Sequence, residues 1–508
     1  MFKSTFVEII CVLIFTLAIA ASPIASGIAA ISINNISKDF NVLGVIISLG
    51  TGSFLLLSGG IADASGRKMT ILISFFLFII FNIISGFMRS FIGLCISRAL
   101  LGGFIAGATP AAAGMIGSIY ETGRRKNRAL ATFAAGAPVG LIFGVLIGGI
   151  GTEILSWRAC HFFLAIFFSV VLVLAVFVIP NDPPLNFEKA LNILSSLDYV
   201  GAFLSLSGFT LFCFALTQVD VTERGWKTPY ILATFIIGFL LIVALCFYEA
   251  YIPKLPLMPM QIWKSRKFSL SMCIISLSWM NFVGTIVFYS ILFFEQVLGY
   301  SPLLTTACQI TLGVAGILVN VFAAFTLHKI TGTVLMLIAT LGFIIGSIFW
   351  LTMDIDRSYW LGPFWSYIFC VIGADIAYNV VNIITLTSVP ENLQSSAAGV
   401  FNTIIQISST IGLAITTALV SARYEYYGTE LQTMYPDRLF DGFKNAYWFA
   451  LGCGILAFIL SFFLKVGVTG KRLDKLDNVN SNENENENEK NNKEIEFDEK
   501  MINVSISN

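Results

Sequence analysis

Charge is scarce in this chain. Asp, Glu, Lys and Arg make up 12% of its 508 residues, with 30 acids against 30 bases. A neutral, sparsely charged chain offers no basic stripe for nucleic acid, so no nucleic-acid partner is expected. Histidine is nearly absent, and the nine cysteines are scattered singly with no Cys-x-x-Cys pair. That leaves neither the ligand spacing of a zinc site nor a disulfide framework. No Gly-x-x-x-x-Gly-Lys phosphate loop occurs, and no histidine stands where it would activate a Ser or Cys nucleophile. An enzyme, a resident metal and a cofactor are therefore not expected. The cysteines read as small packing residues, and His161 and His328, at the ends of apolar runs, read as interfacial side chains.

What remains is apolar: 56% of the residues are hydrophobic and the mean hydropathy is +0.84. No soluble core buries that much surface, so lipid is the expected solvent. About 20 apolar residues cross a bilayer as a helix, and unbroken runs of that length select helices over a barrel. Runs between charged or Pro/Gly-rich breaks give Val7–Ile33, Val42–Ala62, Ile71–Phe87, Gly93–Ile119, Ala129–Ile150 and Phe162–Ile179 as a first block. Tyr199–Val219 and Tyr230–Tyr248 follow as a central pair. A second block comprises Phe268–Phe294, Leu303–Leu327, Thr331–Thr352, Phe364–Leu386, Ala397–Val420 and Ala446–Val466. The expected fold is all-α and polytopic, with fourteen spans.

The expected organisation is a short N-terminus over residues 1–6 and a six-helix bundle over 7–179. A linker with two extra helices covers 180–267, a second six-helix bundle covers 268–466, and a disordered tail covers 467–508. The tail contains Asn482-Glu483-Asn484-Glu485, a composition with too little apolar area to fold. Even span counts put both termini on one face. Arg67-Lys68, Arg124-Arg125-Lys126, Lys264 with Arg266-Lys267, and Lys329 share it, so the positive-inside rule makes both termini cytoplasmic. The first run is too long for a signal-peptide core.

Several polar residues interrupt the spans at helical spacing. Asp375, Asn379 and Asn382 follow i, i+4, i+7; so do Asn402, Gln406 and Ser409; Gln309, Gly313, Gly316 and Asn320 share one face. Against lipid each stripe is expensive, so all three are expected to line an aqueous cavity or to bond between helices. Glu249 and Glu295, at span ends, are weaker proton-coupling candidates whose alternative reading is an ordinary exposed carboxylate near water, which leaves Asp375 as the acid deep in a span. A carboxyl that passes between dry and wet surroundings exchanges a proton, which makes Asp375 a coupling candidate. Arg98, inside the fourth span, is expected to face the bundle interior. Gly136, Pro138, Gly140 and Gly144 put small residues every four positions along the fifth span, with a bend at the proline.

The loop Gly59-Gly60-Ile61-Ala62-Asp63-Ala64-Ser65-Gly66-Arg67-Lys68 joins the second and third runs. Gly59, Asp63, Gly66, Arg67 and Lys68 form a Gly-x-x-x-Asp-x-x-Gly-Arg-Lys pattern in which glycines permit a tight turn and Asp63 pairs with Arg67 or meets a helix N-terminus. The pattern resembles the signature between helices two and three of the major facilitator superfamily. Gly225-Trp226-Lys227-Thr228-Pro229-Tyr230, Ser301-Pro302-Leu303-Leu304 and Gly373-Ala374-Asp375 resemble, within its fourteen-span drug:proton antiporter branch, the fungal subgroup of aminotriazole-resistance proteins, boron exporters and low-affinity ammonium transporters. The resemblance implies a latch for the Gly59 to Lys68 loop, a proton-coupling role for Arg98, and an antiporter motif for the Gly136 to Gly144 stretch. Many drug antiporters of this branch carry an Asp in helix one. The matching region, with Ser22, Pro23 and Ser26, has none, which shifts the expectation toward a small or neutral substrate.

The implied function is secondary active transport by alternating access, with proton-coupled efflux of small toxic solutes leading. A low-affinity uptake carrier for ammonium or a similar nutrient is the alternative. The expected partners are a small-molecule or ion substrate, protons and lipid, with one chain sufficient as a monomer. The expected site is the plasma membrane, with the vacuolar membrane as the second choice.

Overall fold

A computed structural model of the protein describes residues 5–40, 66–120, 124–181, 198–218, 225–252, 262–326, 329–388, 394–421 and 436–467. These residues are helical, with no β-strand among them. The first half contains α1 (Thr5–Phe40), α2 (Arg67–Phe87), α3 (Phe91–Ala106), α4 (Ala108–Ile119), α5 (Arg124–Ile154) and α6 (Trp157–Val178). A central hairpin pairs α7 (Tyr199–Gln218) with α8 (Pro229–Tyr251). The second half begins with α9 (Arg266–Asn281), which continues through a π-helical turn at Phe282–Val287, α10 (Phe288–Leu292) and a second π-helical turn at Phe293–Val297. It is completed by α11 (Pro302–Thr326), α12 (Gly332–Leu351), α13 (Pro363–Thr387), α14 (Gln394–Ser421) and α15 (Pro436–Phe462).

Helix starts follow local chemistry. Ser90, Ser156 and Ser265 accept hydrogen bonds from the backbone N–H groups of Gly93, Ala159 and Phe268, satisfying donors that a helix leaves open at its first turn. Among the described residues, twelve helices are long and apolar enough to cross a membrane, α3 and α4 counting as one span. The run Val42–Ala62 lies outside the described residues. The run Tyr199–Val219 corresponds to α7, whose apolar stretch Tyr199–Phe212 is shorter than the others. Large apolar side chains such as Phe76, Phe177, Phe239, Phe322 and Phe462 stand exposed on the outer surface, a pattern that needs lipid around it.

Each half has its own apolar core: Phe15, Phe75, Phe78 and Phe168 in the first, and Phe268, Met336 and Phe401 with Phe293, Trp350 and Tyr447 in the second. The first helix of each half packs against the fifth through glycine. Along α5, a Cβ on Gly136 would lie 2.5 Å from the Thr16 carbonyl oxygen, and one on Gly140 would lie 2.7 Å from that of Ala20. Gly144 meets Ile24 and Gly148 meets Ile28 in the same way, one turn further each time. In the second half, Gly412 of α14 lies under Met280 of α9, and Gly284 approaches Ser409. The small-residue spacing on the fifth span is thus a helix contact face, with backbones in touch where any side chain would wedge them apart.

Substituting Gly144→Ala should therefore destabilise the protein by about 1–3 kcal/mol, the usual range for overpacking. A melt of the purified protein in detergent checks this against Gly117→Ala, where nothing lies within 4 Å of the new methyl and no change is expected.

Candidate functional site

Between the halves lies a cavity of about 100 Å³. Pro138, Leu141, Ile142 and Val145 of α5 wall one side, and Gln309, Gly313 and Gly316 of α11 with Val371, Ala374 and Asp375 of α13 wall the other. Ala30 of α1 and Val287 and Ile291 of the π-helical region complete it. Its lining is almost wholly apolar, so the Gln309 amide and the Asp375 carboxyl dominate its chemistry. Pro138, which has no N–H to continue the helical ladder, sits on this wall.

At one end of the cavity α5 touches α11. Gly149 has no room for a side chain because Thr306 fills the space, and the Thr306 hydroxyl donates to the Val145 carbonyl at 3.2 Å. Beyond it, Phe288 and Leu292 of α10 pack on a cluster formed by Ala29, Ile33 and Ile36 of α1 with Leu94 and Trp157. Among the described residues the halves are therefore in contact at the end that carries Phe40, Gly149 and Pro302.

Three helices share the polar work around the cavity. Gln309 is buried, and its amide nitrogen donates to the Ser290 hydroxyl at 3.0 Å and the Tyr367 hydroxyl at 2.9 Å. Asn379 donates to the Asn320 side-chain oxygen at 3.1 Å and to the Asp375 carbonyl at 2.8 Å, and Asn320 donates to the Gly316 carbonyl at 3.0 Å. The stripes of α11 and α13 are thus locked to each other. Asp375 lies at the head of this network, with one carboxylate oxygen, Oδ2, buried and without a partner. Gly316 faces that oxygen: a Cβ there would come within 3.4 Å of it. Asn382 is half-buried and does not line the cavity, and the stripe of α14 lies elsewhere too, with Asn402 half-buried and Gln406 exposed.

Arg98 reaches into the first half, away from the cavity lining. Its Nη2 donates to the Ala25 carbonyl of α1 at 2.9 Å, while Nε and Nη1 are buried without partners. In the signature loop, Gly59 and Asp63 lie outside the described residues. Gly66 has a φ of 89°, a conformation that favours glycine, and opens α2. Arg67 donates to the Gly114 carbonyl at 2.8 Å, so close that Gly114 has no space for a Cβ. Lys68 caps the C-terminus of α6, donating to the Ile179 carbonyl at 2.7 Å and the Asn181 side chain at 2.8 Å, where the helix dipole favours a cation. These two cations tie α2 to α4 and α6.

Residues 9–413 match the Major Facilitator Superfamily. The chain belongs to that superfamily. It is similar to the low affinity ammonium transporter of Saccharomyces cerevisiae, 30% identical over 379 residues, covering 74% of this chain and 72% of that one. It is similar also to the aminotriazole resistance protein of the same yeast, 28% identical over 417 residues, covering 81% and 74%. A solved peptide transporter, POT, in complex with sulfate overlays with a TM-score of 0.61 at 15% identity, over 89% of this chain and 94% of that one. That likeness concerns the fold. The protein is a multi-pass membrane transporter of a superfamily that carries small solutes, and its cavity lies between the two halves.

Two readings made from residue position need correction. His161 is not interfacial: it is buried, with its Nδ1 3.2 Å from the Asn82 Oδ1 and its ring against Trp157. His328 lies outside the described residues. Glu249 and Glu295 are not ordinary exposed carboxylates, for both are buried. Position near a span end did not reveal that neighbouring helices extend past them. Ser290 and Tyr367, the partners of Gln309, come from two other helices, and no local spacing marks them.

Gln309→Leu should leave the Tyr367 hydroxyl buried with one partner fewer and remove an amide from the cavity wall. The half-saturating concentration for a transported solute should rise about three- to tenfold, equivalent to the loss of one net hydrogen bond. Initial-rate transport in proteoliposomes checks it.

Proposed function

We propose that this transporter is a proton-coupled exporter of small toxic solutes that works by alternating access. The observation that carries this reading is the small cavity between the halves, whose wall includes the Gln309 amide and Asp375, a carboxyl with one oxygen buried and unpartnered. Drug-sized ligands occupy pockets of about 300–1,000 Å³, so a cavity of about 100 Å³ favours a small solute. Asp375 takes a proton when the cavity is dry and gives it up when water enters, and substrate and proton compete for the same wall. The Gly136 to Gly144 face and the likeness to a resistance protein support export.

In this reading the chain has fourteen spans, two six-helix bundles over 7–179 and 268–466 and a central hairpin within 180–267. Both termini are cytoplasmic, the plasma membrane is the site of action, and one chain suffices because it holds both halves of the cavity. The chain transforms nothing. The turn at Gly66 with Arg67 and Lys68 acts as a latch with Gly59 and Asp63, holding α2 against α4 and α6 in one state and releasing them in the other. Arg98, with two unpartnered nitrogens beside α1, takes part in proton movement. Asn320 and Asn379 hold Asp375 in place, while Asn382, Asn402 and Gln406 meet solute only when the halves part.

A second reading, low-affinity uptake of ammonium, rests on the likeness to the yeast ammonium transporter and on the same small cavity with an acidic wall. Time-resolved content of aminotriazole, boric acid and methylammonium separates the two in yeast lacking its own carriers for them. Export predicts lower content in cells expressing the protein, an effect lost with Asp375→Asn and with a protonophore. Higher methylammonium content that ignores both treatments would contradict export and favour uptake.

A further inference from the structure

Glu295 is the most anomalous side chain of the second half. It is 6% exposed, and both carboxylate oxygens are buried with no hydrogen-bond partner. An ion in that setting is very costly, whereas the neutral acid is tenable. The residue sits in the π-helical turn Phe293–Val297, a distortion found frequently at functional sites, which re-aims side chains relative to the helix before it. Phe293 and Phe294 of this turn pack inward on Trp350 and Phe440. Phe288 and Leu292, which precede the turn, pack on Ala29, Ile33 and Ile36 of α1, so Glu295 lies just beyond that contact along the chain.

The charged groups around it are few. On α1, Lys38 is near enough to act on it electrostatically, while Asp39 is engaged by Arg158 and by the Trp157 indole N–H. The start of α15 brings Asp437, Arg438, Asp441 and Lys444, the last lying over the Phe440 ring and 3.7 Å from Asp441. On α11 the buried polar groups at that end are Thr305 and Thr306, and Cys308 is the first titratable residue of the helix. Tyr300 and Tyr359 flank the turn through their contacts with Phe294.

We infer that Glu295 is a second proton-binding site, built into the seam between the halves, which is kept dry while this end is closed and meets water when α10 parts from α1. It would exchange its proton with the solution on the Gly149–Thr306 side, whereas Asp375 serves the cavity. The inference deepens the proton-coupled reading above and rests on it.

The test uses the full chain in proteoliposomes. Dicyclohexylcarbodiimide modifies protonated carboxyls in apolar surroundings, and peptide mapping locates the adduct. Glu295 should be labelled, with labelling falling about tenfold per pH unit above its midpoint. Glu295→Gln should keep methylammonium counterflow within about twofold, which also certifies its fold, and lose gradient-driven accumulation about tenfold. Absence of the Glu295 adduct at every pH overturns the inference, even where the variant does not fold. So does gradient-driven accumulation by Glu295→Gln equal to that of the unaltered protein. A pH-dependent adduct in a protein whose transport ignores the proton gradient would uphold the proton site and overturn the coupled function.

Discussion

The closed contact between α5 and α11 at Gly149 and Thr306 decides the rest of the structure. It brings the two halves together at one end of the cavity. At the same end Phe288 and Leu292 of α10 pack on α1, Glu295 is buried, and the α5 wall lies opposite Gln309 and Asp375. If this contact opens, a buried carboxyl, an apolar row and the cavity wall become wet together. In the proposed alternating-access cycle those groups would be linked by one rigid-body movement with no need for a chain of intermediates between them.

Movement of that kind needs halves that do not deform. Within each half the first and fifth helices touch backbone to backbone through glycine, at Gly136, Gly140, Gly144 and Gly148 in one and at Gly284 and Gly412 in the other. Such contacts are close, numerous and independent of long flexible side chains, so each bundle behaves as a body. The first helix of the second half is less regular. Two π-helical turns interrupt the helix from Arg266 to Val297, and one of them carries Glu295. Irregular helix geometry is therefore found in the same helix that carries the Gly284 contact and the buried Glu295.

Much of this was legible in the sequence. Long apolar runs mark the helices directly because lipid demands them, and the glycine spacing on α5 marks a contact face because only one residue type allows that approach. The spacing of Gly316 and Asn320 on α11 and of Asp375 and Asn379 on α13 already groups residues of one network, in which the Asn379–Asn320 bond crosses between the helices. The burial of Glu295 and of His161 was not legible. Both sit near span ends, where hydropathy reports only depth along one helix, and their burial comes from neighbours distant in the chain. For the same reason the partners of Gln309, contributed by Ser290 and Tyr367, emerge only when three helices are assembled.

The most direct test of alternating access is the distance between spin labels at exposed positions on either side of the seam, Glu153 on α5 and Leu304 on α11, in a cysteine-depleted protein reconstituted in lipid. Rocking of two rigid halves predicts a short-distance population matching the closed end and a longer one whose share changes with pH and with added methylammonium or aminotriazole. A single short distance under every condition, in protein that still transports, would contradict it.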